Sequence, residues 1–313
     1  MSVPRPTRLA AACLAVALLP GAAGGGPPAG QGRSLRAGVD VVTVPAVVTD
    51  ESGRLVTGLT SGDFVLFEDG IEQPITQFVG DRVPVSLGVV LDASQSMVGE
   101  RLVDARLALE RFVGDLLDPG DEAFLAVFNH RPRVVAPWTS PPAGLKGRLD
   151  GIVPSGGTAI YDAVLDALDR FDRRQHQRAA LVLVSDGADT ASDHDVKEVR
   201  SRLRRSDAFL YAIAIDAPAH GRERATARVD PFALRAMTDD SGGYTEVIKT
   251  SADLVDATAR IATELNHQYV LGYVVPAHGA DEAYHAIRVR SRNPSHRVRA
   301  RKGYVATPHP ARR

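Results

Sequence analysis

Apolar residues follow two different periods along the chain, and these periods predict the order of strands and helices. Continuous apolar runs such as 85–91 and 180–184 are typical of strands buried on both faces of a parallel sheet. Between such runs apolar residues recur at helical spacing, as Leu102 and Leu109 do, which predicts amphipathic helices. This alternation predicts an α/β fold with a doubly wound, mostly parallel sheet over residues 84–266.

The elements predicted within this α/β region alternate along the chain. Strands are expected at 85–91, 123–128, 133–136, 180–184, 209–215 and 244–247. Helices are expected near 102–116, 158–171, 196–203, 231–237 and 252–265. Because helices that connect parallel strands cover both faces of the sheet, we expect the strands to be almost fully buried.

Short strands separated by turns flank the α/β region on both sides. Residues 39–83 contain short apolar and β-branched runs at 39–48, 55–57, 63–68 and 75–79, which predict strands separated by turn signals such as Asp69-Gly70. Residues 267–306 return to strands. Because an isolated hairpin is marginally stable in water, we expect the two flanks to pair into one small β-sandwich. The α/β region would then be inserted into that sandwich; two separate β-appendages are the alternative.

The two ends of the chain have compositions of their own. Residues 1–23 contain two arginines, an apolar run over 9–19 and then small residues, which is the layout of a secretory signal peptide. We therefore expect export to the periplasm or the exterior, with a leader retained as a loose membrane anchor as the alternative. The Gly-, Pro- and Ala-rich segment 24–38 is expected to be a flexible linker, and 307–313 a disordered tail.

Composition excludes several kinds of site. The chain of 313 residues has a net charge of -1, so its overall charge does not favour nucleic acid or membrane surfaces. Cys13 is the single cysteine and lies in the predicted leader. The mature chain would therefore have no disulfide and no thiolate metal site, so that any metal must be held by oxygen or nitrogen ligands.

A group of oxygen-bearing side chains follows the apolar run 85–91. Asp92, Ser94 and Ser96 are spaced by two, so extended backbone would point all three side chains to one side. The carboxyl ends of the strands are where open α/β sheets bind their ligands. Hard divalent cations prefer oxygen ligands, so this pattern indicates a cation site.

Two further residues extend the group. Thr158 follows Gly156-Gly157 at the start of a predicted helix, and Asp186 follows the strand 180–184. This sequence of Asp-x-Ser-x-Ser, then Thr, then Asp resembles the metal-ion-dependent adhesion site of von Willebrand factor type A domains. The resemblance covers roughly residues 84–266, and the motif places each of its parts at a predicted strand or helix end.

The flanking segments resemble a narrower family. The stretches in question are 47–53, 59–64, 68–70, 269–273 and 299–304. They are similar to the lead-in and the tail of the VWFA-related proteins described in Acidobacteria, which extends the resemblance over nearly the whole mature chain. That family is named by its domain, so this part of the resemblance implies no activity.

The adhesion-site resemblance implies roles for the five residues. Ser94, Ser96 and Thr158 would touch the metal directly, while Asp92 and Asp186 would act mostly through bound waters. The metal would be Mg²⁺ (or Mn²⁺ or Ca²⁺), with a position left for an Asp or Glu carboxylate of a protein partner. Taken singly, the hydroxyl residues could instead cap helices and the aspartates could accept hydrogen bonds from loop amides.

Other polar and aromatic residues have ordinary interpretations. Asp189 and Asp193 are expected to cap the helix that begins near Asp195. His194 is expected to be a solvated loop histidine, and Trp138 to be a loop residue that is partly buried in the core. The alternating arginines near the C-terminus are expected to form one solvated strand face; these are Arg288, Arg290, Arg292, Arg297, Arg299 and Arg301.

The function that these observations favour is an exported, non-enzymatic adhesion-type module that captures a protein partner through Mg²⁺ and an acidic side chain. No nucleic-acid partner and no membrane span of the mature chain are expected. One alternative is a structural or assembly component in which the metal only stabilises the fold. Another is a metal-dependent hydrolase, for which His194 is the nearest candidate base.

Overall fold

The computed structural model describes residues 39–186, 188–216, 230–276 and 283–306. The predicted signal peptide, linker and tail at 1–23, 24–38 and 307–313 lie outside the described residues.

The described part of the chain contains strands and helices in the predicted alternation. In chain order the strands are β1 (Val39–Thr49), β2 (Phe64–Glu68), β3 (Ile71–Gln73), β4 (Gln77–Val79), β5 (Val85–Asp92), β6 (Glu122–Phe128), β7 (Pro132–Thr139), β8 (Arg178–Ser185), β9 (Phe209–Ile215), β10 (Thr245–Ile248), β11 (Tyr269–Pro276), β12 (Tyr284–Ser291), β13 (Arg297–Ala300) and β14 (Gly303–Val305). The α-helices are α1 (Glu100–Arg111), α2 (Ile160–Arg170), α3 (Val196–Arg204), α4 (Pro231–Ser241) and α5 (Ser251–Asn266). None of these described helices has the length and apolar character needed to cross a bilayer.

The central sheet has the strand order β10-β9-β8-β5-β6-β7. Its strands pair in parallel except for β7, which runs antiparallel to β6 at one edge. Every residue of β5, β6, β8 and β9 is buried, as the continuous apolar runs predict. The predicted mostly parallel sheet is confirmed.

Helices cover both faces of the central sheet and form two cores. On one face, Leu109 of α1 and Ile261 of α5 pack among the side chains of the sheet. On the other face, Val164 of α2, Val199 of α3 and Met237 of α4 belong to a second buried cluster. This two-sided burial is the doubly wound arrangement that the sequence predicts.

Strands from the two ends of the chain pair with each other. In one sheet of order β13-β1-β11-β4, β1 lies between β11 and β13 and runs antiparallel to both. In a second sheet of order β14-β12-β2-β3, β12 pairs with β2. Buried side chains from both sheets, among them Val44, Leu66 and Leu271, form one core. The predicted joint sandwich is therefore confirmed, with the α/β region inserted into it.

Three local expectations about strands are wrong. The expected strand at 55–57 is reduced to a single bridge between Leu55 and Thr49, next to glycines with positive φ at 53 and 58. β3 was not predicted, although it follows directly from the Asp69-Gly70 turn by pairing with β2. β7 continues past 136 to residue 139, so Trp138 lies on an edge strand and not in a loop.

Candidate metal site

The candidate site lies at the carboxyl edge of the central sheet, where β5 and β8 end side by side. These strands pair in parallel with Leu91 opposite Val184. The next residues, Asp92 on β5 and Ser185 on β8, therefore reach the same edge, and Asp186 follows directly. Ligands of open α/β sheets bind at this edge.

Asp92 is fully buried and held from two sides. Its Oδ2 accepts a hydrogen bond from Ser185 Oγ at 2.6 Å, and its Oδ1 accepts one from the backbone N–H of Ser94 at 2.7 Å. Burial raises the pKa of Asp92 to about 6; the nearby Asp186 charge adds to this rise, whereas the hydrogen bonds oppose it. Asp92 therefore fixes the loop after β5 through two directed contacts.

Ser94, Ser96 and Asp186 form a continuous hydrogen-bonded group. The two serine Oγ atoms lie 2.9 Å apart, and Ser96 Oγ donates to Asp186 Oδ1 at 2.6 Å. The backbone of Ser94 is extended, as the predicted same-side arrangement requires. Ser94 is the N-cap residue of a short 3₁₀ turn, yet its side chain makes no capping hydrogen bond. The hydroxyl is thus turned toward Ser96 and away from a cap role.

Thr158 lies on the neighbouring loop, which the backbone ties to the serine loop. Ser155 N donates to Ala93 O at 2.9 Å, and Gln95 N donates to Gly156 O at 3.0 Å. Thr158 itself is buried, and its N–H donates to Thr190 Oγ1 at 3.0 Å. The N-cap of α2 is Ala159, so Thr158 does not cap that helix. The hydrogen bonds that link Ser94, Ser96 and Asp186 do not extend to Thr158 among the described residues.

Gly156 has a conformational reason to be glycine. Its φ is +74°, a region that residues with a side chain rarely adopt. A Cβ at this position would also lie 2.8 Å from Nδ1 of His130. The close approach of this loop to His130, in the loop after β6, therefore depends on this glycine.

Arg101 belongs to the site and was missed by the sequence reasoning. Its Nη1 lies 2.5 Å from Asp186 Oδ2 and donates to the carbonyl oxygen of Ser96 at 3.1 Å. The guanidinium therefore offsets part of the negative charge of Asp186. The available signal was a basic residue one position into the helix after the serine motif, since α1 begins at Glu100.

The expectation that Asp189 and Asp193 cap the helix near Asp195 is wrong. Asp195 is itself the N-cap of α3, because its carboxylate accepts hydrogen bonds from Lys197 N and Glu198 N at 2.8 and 3.0 Å. Asp189 instead accepts a hydrogen bond from Tyr161 N at 3.0 Å, at the start of α2. Asp189 therefore supports the helix that follows Thr158.

His194 is an exposed loop residue, as expected, and it is also paired with a carboxylate. Its Nδ1 lies 2.8 Å from Oδ1 of Asp162, and this hydrogen bond raises the pKa of His194. Asp162 also accepts the backbone N–H groups of Asp193 and His194. The hydrogen bonds of Asp162 therefore connect the loop after β8 to α2.

Trp138 is partly buried, as expected, but as part of an aromatic cluster on an edge strand. Its ring packs edge-on against Phe124 and Phe171, with centroid distances of 4.7 and 5.5 Å. Its Nε1 donates to Arg170 O at 3.2 Å. These contacts give Trp138 a packing role in the core.

The expectation of one solvated arginine face near the C-terminus is wrong for two of its residues. Arg299 pairs with Glu264 at 2.5 Å and lies over the ring of Tyr244. Arg301 is only 9% exposed. The remaining arginines of the set are exposed; these are Arg288, Arg290, Arg292 and Arg297. Because Arg301 lies beyond the end of β13, the alternation along that strand does not determine its burial.

The donor set is suited to a hard cation held mainly by hydroxyl oxygens. No group of three or more His, Cys, Asp or Glu residues with metal-binding proximity occurs in the described ranges, so a carboxylate cage is not what they offer. Instead, the side chains of Ser94, Ser96 and Asp186 bring two hydroxyl groups and one carboxylate together. Oxygen donors of this kind fit Mg²⁺, Mn²⁺ or Ca²⁺ and not soft metals.

Comparisons with known proteins bear on the same region. Residues 87–188 match the family model described as von Willebrand factor type A domain. The chain is 27% identical over 143 residues to inter-alpha-trypsin inhibitor heavy chain H4 of Homo sapiens, covering 42% of this chain and 15% of that protein. It is 26% identical over 188 residues to heavy chain H2 of Sus scrofa, covering 55% and 19%. The chain thus spans 15% and 19% of the lengths of these curated relatives.

A solved structure extends the comparison to the fold. The von Willebrand factor type A structure from Catenulispora acidiphila has a TM-score of 0.51 and 14% sequence identity, covering 80% of this chain and 74% of that one. At this identity the likeness concerns the fold alone. Together with the match over 87–188, it confirms the predicted type A resemblance of the α/β region.

Proposed function

We propose that this chain, which carries a von Willebrand factor type A domain, is a non-catalytic binding module that captures a protein partner through a divalent cation. Ser94, Ser96 and Thr158 would hold the cation directly, with Asp92 and Asp186 behind them. Mg²⁺ is the first candidate, and Mn²⁺ or Ca²⁺ would use the same oxygen atoms.

The observation that supports the proposal best is a chain of two contacts: Ser94 Oγ lies 2.9 Å from Ser96 Oγ, which lies 2.6 Å from Asp186 Oδ1. These residues come from the ends of two different strands and are separated by about ninety positions. Asp92 and its two hydrogen bonds fix the serine loop at the sheet edge. This arrangement of hydroxyl and carboxylate oxygens supports the proposed cation site.

The charge of the donor set suggests the partner. Hydroxyl oxygens are neutral, so they leave most of the charge of a bound cation uncompensated, and such a cation attracts a further carboxylate oxygen. Arg101 already offsets part of the charge of Asp186, which lowers the negative charge of the site further. An Asp or Glu side chain on the surface of a partner protein would meet this requirement.

Two other functions are less well supported. A purely structural metal would need no access for a partner carboxylate, and the partly exposed Ser96 argues against a closed site. A hydrolase would need a base that can accept a proton near the site. The pKa of His194 is raised by Asp162, which favours its charged form, and no hydroxyl group among the described residues is hydrogen-bonded to its ring. We therefore infer a non-enzymatic role.

Export completes the proposal. The signal-peptide pattern at residues 1–23 would place the module outside the cytoplasm, where it could meet a partner on another surface. Processing at this segment can be tested by N-terminal sequencing of the protein from a secreting host. A mature N-terminus near residue 24 is expected, and an intact leader would contradict cleavage.

Calorimetric titration of Mg²⁺ and Mn²⁺ tests the site. We expect micromolar-to-millimolar binding to the wild type and its loss in Ser94→Ala/Ser96→Ala. Ser52→Ala/Ser61→Ala, on surface turns far along the chain from the motif, serves as the matched control and should bind normally. Normal binding by the Ser94/Ser96 variant would contradict the site, provided that its folded state is verified by circular dichroism.

Partner capture needs a second measurement. Peptides that carry a single Glu, and the same peptides with Gln in its place, are titrated into the protein with Mg²⁺ or with chelator. Binding that requires both Mg²⁺ and the Glu carboxylate supports capture. Normal metal binding without any preference for Glu over Gln would favour the structural role.

A further inference from the structure

A second candidate site lies at the amino-terminal ends of the central strands, opposite to the carboxyl ends that carry Asp92. A cavity of about 520 Å³ opens between the β-sandwich and the ends of α2 and α3. Its arginines are Arg174, Arg202, Arg204, Arg205 and Arg301, and we call it the arginine cavity. Phe171, Asp172 and Arg174 in its wall precede β8, and residues 204–207 precede β9, which places the cavity at the amino ends of these strands. Its volume is within the range of roughly 300–1,000 Å³ that is typical of small-molecule sites.

The wall of the arginine cavity carries more positive than negative charge. Against its arginines stand the two acidic wall residues, Asp172 and Asp207. Arg174 pairs with Asp207 at 2.8 Å. Two others pair with carboxylates that are not part of the wall: Arg202 with Asp169 at 3.1 Å and Arg204 with Asp240 at 3.0 Å. These pairs still leave the charge of Arg301 without a close carboxylate partner among the described residues.

Arg301 is the least expected group in the cavity wall. It is 9% exposed, and its guanidinium lies over the ring of Tyr304 at 5.3 Å. No hydrogen-bond partner is found for its Nε within the described part of the chain. Burial lowers its pKa, and the charge of Asp207 acts in the opposite direction. A buried cation without a hydrogen-bonded counter-charge is costly, so the position of Arg301 calls for an anion.

Arg204, at the end of α3, also has a buried Nε without a hydrogen-bond partner among the described residues and a guanidinium over an aromatic ring. One of its terminal nitrogens reaches Asp240, and its guanidinium lies 4.9 Å over the ring of Tyr284. Basic residues in the last turn of a helix are common because they face its negative end. That reason applies to Arg204 but not to Arg301, which lies on no helix.

We propose that the arginine cavity binds a small molecule that carries an oxyanion, with its phosphate or carboxylate group on Arg301 and Arg204. A guanidinium group can donate two parallel N–H···O hydrogen bonds to the oxygens of one phosphate or carboxylate group. Phe171 and Tyr304, which also line the cavity, offer an apolar surface to the rest of the ligand. This site uses none of the metal-site residues and does not depend on the proposed metal function.

Calorimetry at constant ionic strength, with inorganic phosphate and with succinate as separate probes, tests the proposal. The variants are Arg301→Met and Arg204→Gln, and the matched control is Arg106→Gln. Arg106 also has a buried Nε without a partner among the described residues but lies outside the cavity. We expect at least one probe to bind the wild type and the control, and each cavity variant to lose about tenfold or more in affinity.

A second readout separates binding from a structural role for Arg301. Without anion, Arg301→Met should melt at the same temperature as the wild type or higher, because it removes a buried charge that lacks a partner. Its Mg²⁺ titration should equal that of the wild type, which keeps the test independent of the metal site. Preference for phosphate over succinate, or the reverse, would identify the oxyanion.

Two outcomes would overturn the proposal. One is that neither probe binds the wild type at millimolar concentration. The other is that phosphate or succinate binds the wild type, Arg301→Met and Arg204→Gln with equal affinity. If Arg301→Met does not fold, the comparison between Arg204→Gln and Arg106→Gln decides, because the Arg204 side chain is partly exposed and tolerates substitution more easily.

Discussion

At the scale of single residues, Asp92 is a carboxyl group with no exposed surface. Burial raises its pKa to about 6 from an ordinary value of 3.8, so the folded state binds this proton more tightly than the unfolded state does. The group therefore stabilises the metal-free protein below pH 4, and this contribution of about 3 kcal/mol is lost as the pH rises through 6.

The Asp92→Asn variant tests whether the contribution of Asp92 to stability falls as the pH rises. Urea unfolding in chelator at several pH values should show the wild type losing stability relative to Asp92→Asn between about pH 4 and pH 7. Above that range the variant should be the more stable protein while it fails to gain stability from Mg²⁺. A constant difference between the two proteins across this pH range would contradict the raised pKa of Asp92.

Arg101 and a bound cation would compete for Asp186. The guanidinium lies 2.5 Å from Asp186 Oδ2, and two positive charges near one carboxylate repel each other. We expect Arg101→Gln to bind Mg²⁺ about tenfold more tightly by calorimetry. Arg106→Gln is the control, because Arg106 lies on the same helix and pairs with Asp150. Weaker binding by Arg101→Gln would mean that the guanidinium orients Asp186 for the metal.

At the scale of elements, β5 carries the site and needs a glycine in its middle. Gly88 lies opposite Phe124 of β6 and Leu181 of β8. A Cβ at this position would lie 2.7 Å from the Phe124 ring and 2.8 Å from Leu181 Cδ1, so both neighbouring side chains fill the space above the strand. The strand is held in place by packing that a larger residue would disturb.

Gly88→Ala is therefore expected to destabilise the protein by about 1–3 kcal/mol, the usual cost of overpacking a core. Urea unfolding measures this loss. Gly62→Ala is the control, because the nearest atom to its added Cβ would be 3.7 Å away and neither glycine has a positive φ. Equal stability of the two variants would contradict the steric account of β5.

The sequence predicts long elements well and short or long-range features poorly. The apolar runs of β5 and β8 are unambiguous because both faces of these strands are buried. β3 has only three residues, and its pairing with β2 supplies what its own sequence does not. The reach of Arg101 to Asp186 and the burial of Arg301 depend on tertiary contacts between segments that no local period relates.

The same limit applies within the candidate site. The spacing of Asp92, Ser94 and Ser96 predicts their common direction, because strand geometry is local. That Ser96 would donate to Asp186 follows from the adjacency of β5 and β8, which the motif resemblance implied. The position of Thr158 on a loop tied by backbone bonds to the serine loop required the structure.

At the scale of the whole molecule, Arg178 joins the points where the chain enters and leaves the α/β region. This residue at the start of β8 is buried and donates to the carbonyl oxygens of Val83 and Leu265. It also donates to Gln268 Oε1 at 2.7 Å. Both crossings between the sandwich and the central sheet are thus held by one guanidinium.

Arg178→Met should cost about 3 kcal/mol or more in unfolding free energy, because it leaves two buried carbonyl groups and Gln268 without a donor. Chemical denaturation measures this loss, and Arg173→Met, at an exposed position nearby in sequence, is the control. We also expect the transition of Arg178→Met to broaden as the sandwich and the α/β region lose their coupling. A variant as stable as the control would contradict this role.

The central claim is that the edge formed by β5 and β8 holds a divalent cation. The most direct test is a crystal of the protein grown or soaked with Mn²⁺, whose anomalous scattering locates the ion without reference to the protein density. The account predicts an anomalous peak at about 2.2 Å from Ser94 Oγ and Ser96 Oγ, with Asp186 beside it. Anomalous peaks only at other positions, with the Arg101 guanidinium still on Asp186, would contradict it.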